Sequence, residues 1–311
     1  MVTKYLNQGR LKVALLVFTC ACFWGLSFYA TKVALAAGIN EIELLSIRWS
    51  IGAITFVLMT LTRVVKVDFK GKSIRRAIYV AMLQPCFYSI FETWGIGLLT
   101  TSESSLFIAT IPLMVLITGK VFFKKNFSRR TGISIIIALL GVSTCIVFAD
   151  GFSFKGKFFG YLIISVAVLL GALYCHASAH ASETFSAMEM TFVMTVSGAA
   201  FFNAANLAMG GRFAWALLAD ADFKVILAVI FLGICCSCIC YIIFNYVLSV
   251  MNPASASNLI SNSTTAIGVI SGIVLAGDSF GLYTIIGLLM TIGGIWLASI
   301  DENIDTTQVT K

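Results

Sequence analysis

Thr101-Ser102-Glu103-Ser104-Ser105 leads into an apolar run that carries Pro112 and is followed by Phe127 and Gly141. Asn252-Pro253-Ala254-Ser255-Ala256 leads into a second run, followed by Phe280 and Gly294. The polar entries start 151 residues apart (101 to 252), and the Phe–Gly landmarks stand 153 apart (127 to 280, 141 to 294). Within each landmark pair the separation is fourteen residues. A chain whose landmarks recur at nearly one spacing, 151 to 153 residues, is built twice over.

Working outward from these entries, ten apolar runs are long enough to cross a hydrocarbon core of about 30 Å as helix. They cover 12–37, 43–62, 76–99, 103–123, 131–149, 157–180, 188–209, 223–249, 254–276 and 281–300. Several gaps are only a few residues long, so sequence neighbours run antiparallel. The alternation of a membrane-spanning barrel is absent. Five runs fall in each half, and an odd number inverts the second half relative to the first. The expected fold is an all-α integral membrane protein with ten transmembrane helices in a 5+5 inverted-topology repeat. Residues 1–311 form one membrane domain, with repeats at 11–149 and 157–300. Inverted repeats of this kind build many secondary transporters, with the solute site near the midplane between the halves.

Composition agrees. Hydrophobic residues make up 59% of the chain and charged residues 11%, with a mean hydropathy of +0.97. That leaves too little charge to cover a soluble surface. The net charge of +7 does not imply nucleic acid, because the basic residues sit between the apolar runs. With the N-terminus in the cytoplasm, the inner segments hold fifteen Lys and Arg residues: Lys4, Arg10, Lys12, six from Arg63 to Arg76, five from Lys120 to Arg130, and Lys311. The outer loops hold four, Lys155, Lys157, Arg212 and Lys224. This bias places both termini in the cytoplasm of a cell whose inner membrane the chain spans. The N-terminal run, interrupted by Lys32, is too long for a secretory signal and is read as a retained span.

All nine cysteines lie inside apolar runs. The cluster Cys235-Cys236-Ser237-Cys238-Ile239-Cys240 scatters its thiols around a helix and has no flanking ligand at zinc spacing. No metal or cofactor is expected. No GxxxxGK[ST] motif suggests nucleotide coupling.

Phe23-Trp24-Gly25-Leu26-Ser27-Phe28 resembles the opening of the EamA family in the drug/metabolite transporter superfamily. The Arg48 region, the Thr-Ser-x-Ser-Ser entry with Ile111-Pro112, and the glycine-rich fifth and tenth runs are similar too. The resemblance covers roughly 11 to 300. It implies ten helices, a central cavity built mainly by spans 1–4 and 6–9, and buttressing by spans 5 and 10. Relatives of this kind move amino acids or other metabolites, and export is the favoured direction. One departure is Lys124-Lys125 where many relatives carry Gly-Glu; the second half keeps Gly277-Asp278.

Ionisable residues inside a membrane are rare and costly, about 2.5–3.5 kcal/mol at a helix centre on insertion scales. Glu92 shares a stripe with Gln84 and Tyr88 at i, i+4, i+8, beside Pro85. It is a candidate proton-titrating or solute-binding carboxylate, weighed against a structural one. Arg48 is a candidate partner for a solute carboxylate, for Glu92 or for Glu103, weighed against snorkelling to the interface. His176 and His180 stand at i, i+4. His176 is a second proton-coupling candidate, with helix packing the plainer reading. Tyr241, Asn245, Asn258 and Asn262 are candidate solute contacts, about half of such polar groups being expected to join helices instead. Trp24 lies too deep for an interfacial belt and suits a cavity wall.

The expected function is secondary active transport of a small polar metabolite, an amino acid or related compound, by alternating access. A proton is the candidate coupling ion, and the protein is a monomer or weak homodimer in the bilayer. The alternatives are an intramembrane enzyme, for which no nucleophile–base pair or metal cluster is visible, and a channel or sensor.

Overall fold

The computed structural model describes the backbone of residues 2–124, 128–148, 154–212, 214–219 and 221–308. Its side chains are described over 13–122, 124, 128–148, 157–212, 215–216, 218–219 and 221–297. The landmark Phe127 and the basic residues Lys4, Arg10, Lys12, Lys125, Lys155 and Lys311 lie outside the described side chains.

The described chain is helical, without a strand. The helices are α1 (Val2–Ala36), α2 (Glu41–Leu61), α3 (Arg75–Ala81), α4 (Tyr88–Leu98), α5 (Thr101–Ile108), α6 (Ile111–Phe123) and α7 (Arg129–Val147) in the first half. The second half has α8 (Phe154–Ala181), α9 (Ala187–Ala208), α10 (Ala214–Ala219), α11 (Phe223–Phe231), α12 (Cys240–Val250), α13 (Pro253–Ser271) and α14 (Leu282–Gln308). Among the described residues eight segments are long and apolar enough to cross a membrane: Val13–Ala36, Glu41–Leu61, Thr101–Phe122, Arg129–Val147, Lys157–Ala181, Ala187–Ala208, Phe223–Val250 and Pro253–Ala276. The two other apolar runs take different forms. The run over 76–99 is broken in its middle, and the last contributes the 16-residue apolar stretch Leu282–Leu297 within α14.

Helix starts follow from short polar signals. Asn40, Thr100 and Ser186 each accept a hydrogen bond from the backbone N–H of a glutamate three residues on, and that glutamate's carboxylate accepts one from the cap's N–H. These are reciprocal capping boxes. Asn252 caps α13, with Pro253 at the first helical position, where a missing N–H costs nothing.

The first-half break has a local cause. Pro85 supplies no N–H and disfavours helical geometry in the residue before it. Gln84 accordingly sits at φ −143°, ψ 116° within the π-wound stretch Met82–Phe87. Gly198 of α9 leaves room for the proline ring: a Cβ there would stand 2.6 Å from Pro85 Cγ. The second half has a π-wound stretch at Leu232–Ile239, between α11 and α12, 150 residues after the first (82 to 232). A third, Gly272–Ala276, closes α13 and ends on Gly277 in the left-handed region at φ 75°.

The helix pairs α1–α13, α2–α9, α4–α8 and α7–α14 are packed side by side. In the last pair backbone meets backbone. A Cβ on Gly141 would stand 2.6 Å from the Gly287 carbonyl, and one on Gly294 2.6 Å from the Ala138 nitrogen. Small residues thus allow the close approach usual for helices in lipid. Gly293 has open space around it and takes no part.

Candidate functional site

Helices from both halves surround a central cavity of about 60 Å³, room for a few water molecules. Six residues singled out from the sequence line it: Trp24, Arg48, Gln84, Tyr88, Glu92 and Tyr241. Tyr174, Phe244, Ser261 and Thr264 complete much of the wall.

The polar stripe of the broken helix reaches this cavity in two ways. Tyr88 and Glu92 keep the one-turn relationship expected on α4, and the Tyr88 hydroxyl donates to Glu92 Oε1 at 2.8 Å. Gln84 has left helical geometry, yet its side chain enters the same space. Its amide nitrogen donates to the Tyr241 hydroxyl, joining the two halves. Gln84 Oε1 is buried with no partner, so it remains an acceptor.

Arg48 does not snorkel. It is 4% exposed, and its Nε donates to Ser237 Oγ at 2.7 Å. Its guanidinium stands 5.8 Å from the Trp49 ring centre. Neither Glu92 nor Glu103 forms an ion pair with it: the four pairs within 4.0 Å among the described residues are Lys72–Glu189, Lys157–Glu103, His180–Glu183 and Arg212–Glu43. Glu103 is held by Lys157 Nζ at 3.0 Å and the Tyr161 hydroxyl at 2.9 Å.

The aromatic wall turns on Tyr241. Trp24 and Trp49 lie 5.4 and 5.5 Å from its ring, and Tyr174 lies 6.4 Å away. Trp24 is fixed by its indole N–H, which donates to the Cys236 carbonyl at 3.3 Å. That carbonyl belongs to a π-wound stretch, a deformation that recurs at functional sites.

Four other sequence candidates stand away from the cavity lining. Asn245, 1% exposed, accepts from Tyr174 and Ser178 and donates to Thr191 Oγ1 at 3.0 Å, tying α12 to α8 and α9. Asn258 accepts from Asn262 at 2.6 Å and donates to the Ile295 carbonyl of α14. His176 Nε2 lies 3.1 Å from both Thr118 Oγ1 and the Val115 carbonyl, at the contact of α8 with α6. Asn245, Asn258 and His176 sit where polar groups join helices in an apolar medium, whereas Asn262 bonds within its own helix. Among the described residues no group of three or more His, Cys, Asp or Glu side chains is arranged to hold a metal ion.

Two charge clamps, not read from the sequence, hold the two ends of the α2–α9 pair. Glu43, 2% exposed, caps α2 and accepts from the Arg212 backbone and guanidinium, each at 3.0 Å. Glu189, 4% exposed, caps α9 and accepts from the Asp68 backbone at 3.1 Å and Lys72 Nζ at 2.6 Å. Each helix start therefore grips a loop from the other half. A further link joins Asp278, in the turn after α13, to the backbone N–H of Ser102 at the start of α5, at 2.7 Å. The capping-box spacing at 40–43 and 186–189 was the available signal; the partners 169 and 117 residues away left none.

Many apolar helices around a cavity with an arginine, a carboxylate and an aromatic wall define a multi-pass membrane protein built to hold a small molecule. The comparisons with known proteins narrow this. The model of the EamA-like transporter family matches residues 11–147 and again 158–300, and the chain belongs to that family. It is similar to the uncharacterized transporter YcxC of Bacillus subtilis, 23% identical over 92% of this chain and 91% of that one. An uncharacterized transporter of Archaeoglobus fulgidus is 22% identical over 88% and 94% of the two chains. A crystal structure at 18% identity matches 93% of this chain and 98% of its own with a TM-score of 0.69, a likeness of fold. The chain is a membrane transporter.

Proposed function

We propose that the chain is a secondary transporter that carries an amino acid or related zwitterion by alternating access between two inverted five-span halves. The ten-span reading adds the broken span Arg75–Leu98 and the apolar part of α14 to the eight uninterrupted ones. The double match of the family model supports repeats at 11–149 and 157–300 within one membrane domain. The basic bias supports cytoplasmic termini in a cell inner membrane.

One observation carries the substrate class. The cavity holds opposite charges, Arg48 and Glu92, that are not paired with each other. Arg48 suits a carboxylate, which its planar fork binds bidentately. Glu92 and the free Gln84 Oε1 suit an ammonium group, and the aromatic wall takes the remainder. Trp24, Tyr88 and Tyr241 are the other contacts we assign. A multiply anionic solute would find only one guanidinium. Export is the favoured direction, and Glu92 is the proton-coupling group. The cycle needs no nucleophile or metal, so transport without catalysis is the reading adopted over an intramembrane enzyme or a channel.

Counterflow in proteoliposomes tests this. Preloaded L-amino acids should accelerate uptake of at least one labelled amino acid, which a channel would not do. Glu92→Gln should abolish stimulation by a pH gradient while leaving counterflow measurable. Unchanged pH-gradient stimulation in Glu92→Gln would remove the coupling role.

A further inference from the structure

We infer that Ser237 is a positioning residue that aims Arg48 into the cavity and so sets the preference for a carboxylate over an uncharged end group. This rests on the reading of Arg48 as the carboxylate end of the site.

The geometry begins with the π-wound stretch Leu232–Ile239. Widening of the helix there lets the Ser237 hydroxyl reach a carbonyl five residues back, and it donates to Leu232 O at 2.9 Å. With its proton committed, the oxygen presents a lone pair, and Arg48 Nε donates to it at 2.7 Å. Ser237 is fully buried, so water does not compete for either bond. Nε is the guanidinium nitrogen nearest the aliphatic arm. Fixing it orients the whole planar group and leaves the two Nη nitrogens, which donate to no acceptor among the described residues, for a ligand. Two parallel N–H donors in one plane match a carboxylate.

The surroundings hold the bracket in register. A Cβ on Gly233 would stand 2.5 Å from Ile51 Cγ2 and 3.1 Å from the Arg48 carbonyl. A Cβ on Gly52 would stand 3.3 Å from both the Gly233 carbonyl and Ser237 Cβ. Small residues at both positions let α2 lie directly on the π-wound stretch. The arginine comes from the first half and the serine from the second, 189 residues later. The anion-binding group is therefore complete only when the halves are together.

The test is a thermal-shift titration of the full-length purified protein with the twenty standard L-amino acids and the α-amide of each. For at least one pair the wild type should bind the acid more tightly than the amide. Ser237→Ala should narrow that ratio by about tenfold, the scale of one hydrogen bond to a charged group, and leave amide affinity unchanged. A loss of packing alone would weaken acid and amide together. Arg48→Gln should erase the ratio. Ser237→Cys, close in size but a poor acceptor, gives the same comparison if Ser237→Ala does not fold. A wild-type ratio retained by either folded Ser237 variant overturns this inference and leaves the Arg48 reading standing. No acid-over-amide preference in the wild type overturns both.

Discussion

Replacing Glu189 with alanine removes three hydrogen bonds at once, and the structure lets the cost be divided. Oε2 accepts from Ser186 N at 2.9 Å and from Lys72 Nζ at 2.6 Å, and Oε1 accepts from Asp68 N at 3.1 Å. Loss of the reciprocal half of the cap costs about 1 kcal/mol. An Asp68 N–H left without its acceptor costs about 1 kcal/mol more. The Lys72 side chain is 28% exposed, so water recovers part of the ion pair, leaving about 1 kcal/mol. Glu189→Ala should thus destabilise by about 3 kcal/mol and Lys72→Ala by about 1 kcal/mol, with a coupling near 1 kcal/mol in the double-mutant cycle. The assay is equilibrium unfolding in mixed micelles by increasing SDS fraction, followed by tryptophan fluorescence. Additive single effects, with coupling below about 0.3 kcal/mol, would refute the clamp as an energetic contact. A Glu189→Ala cost no larger than that of Lys72→Ala would refute the division between cap and ion pair.

Two further substitutions test the frame around the cavity. Asn245→Ala strips the acceptor from Tyr174 and Ser178 and the donor from Thr191; it should lower stability by roughly 2–4 kcal/mol in the same assay, and a loss under about 1 kcal/mol would show these partners rebonding among themselves. Gly141→Val puts a branched side chain where a Cβ would already stand 2.6 Å from the Gly287 carbonyl and the Thr291 nitrogen; separation of α7 from α14 should cost about 1–3 kcal/mol or more, whereas Gly293→Val, facing open space, should be near neutral.

What the sequence disclosed and what it withheld divide along a physical line. Apolar length is local, so eight spans are visible from hydropathy alone and their edges fall within a few residues of the helices found. The helical spacing of Tyr88 and Glu92 is local too, and their hydrogen bond follows from it. Gln84 shares that spacing but loses its helical geometry to Pro85, and it reaches Tyr241 from a position the stripe did not describe. Asn245 and Tyr241 lie one helical turn apart in α12, yet one ties helices together and the other lines the cavity. Which face meets which neighbour is a tertiary fact that a polar stripe does not encode. Ser237 shares one stripe with Tyr241 and Asn245 at i, i+4, i+8, a spacing that does not say which partner each group meets. The significance of Ser237 depends on π winding and on an arginine 189 residues earlier.

The two clamps on the α2–α9 pair have a consequence for how the molecule comes into being. Glu189 emerges from the ribosome when Lys72, 117 residues earlier, is already made. Glu43 has the reverse history: its partner Arg212 is synthesised 169 residues later. With chain growth at about 5–20 residues per second, Glu43 waits many seconds holding only its own helix cap. Arg212 follows Glu189 by only 23 residues (189 to 212), so the second clamp becomes available about 1–5 s after the first, while α11 to α14 are still to be made. The order of synthesis thus lets both ends of the α2–α9 pair close as α9 is completed, first at Glu189 and then at Glu43, before the last helices of the second half exist.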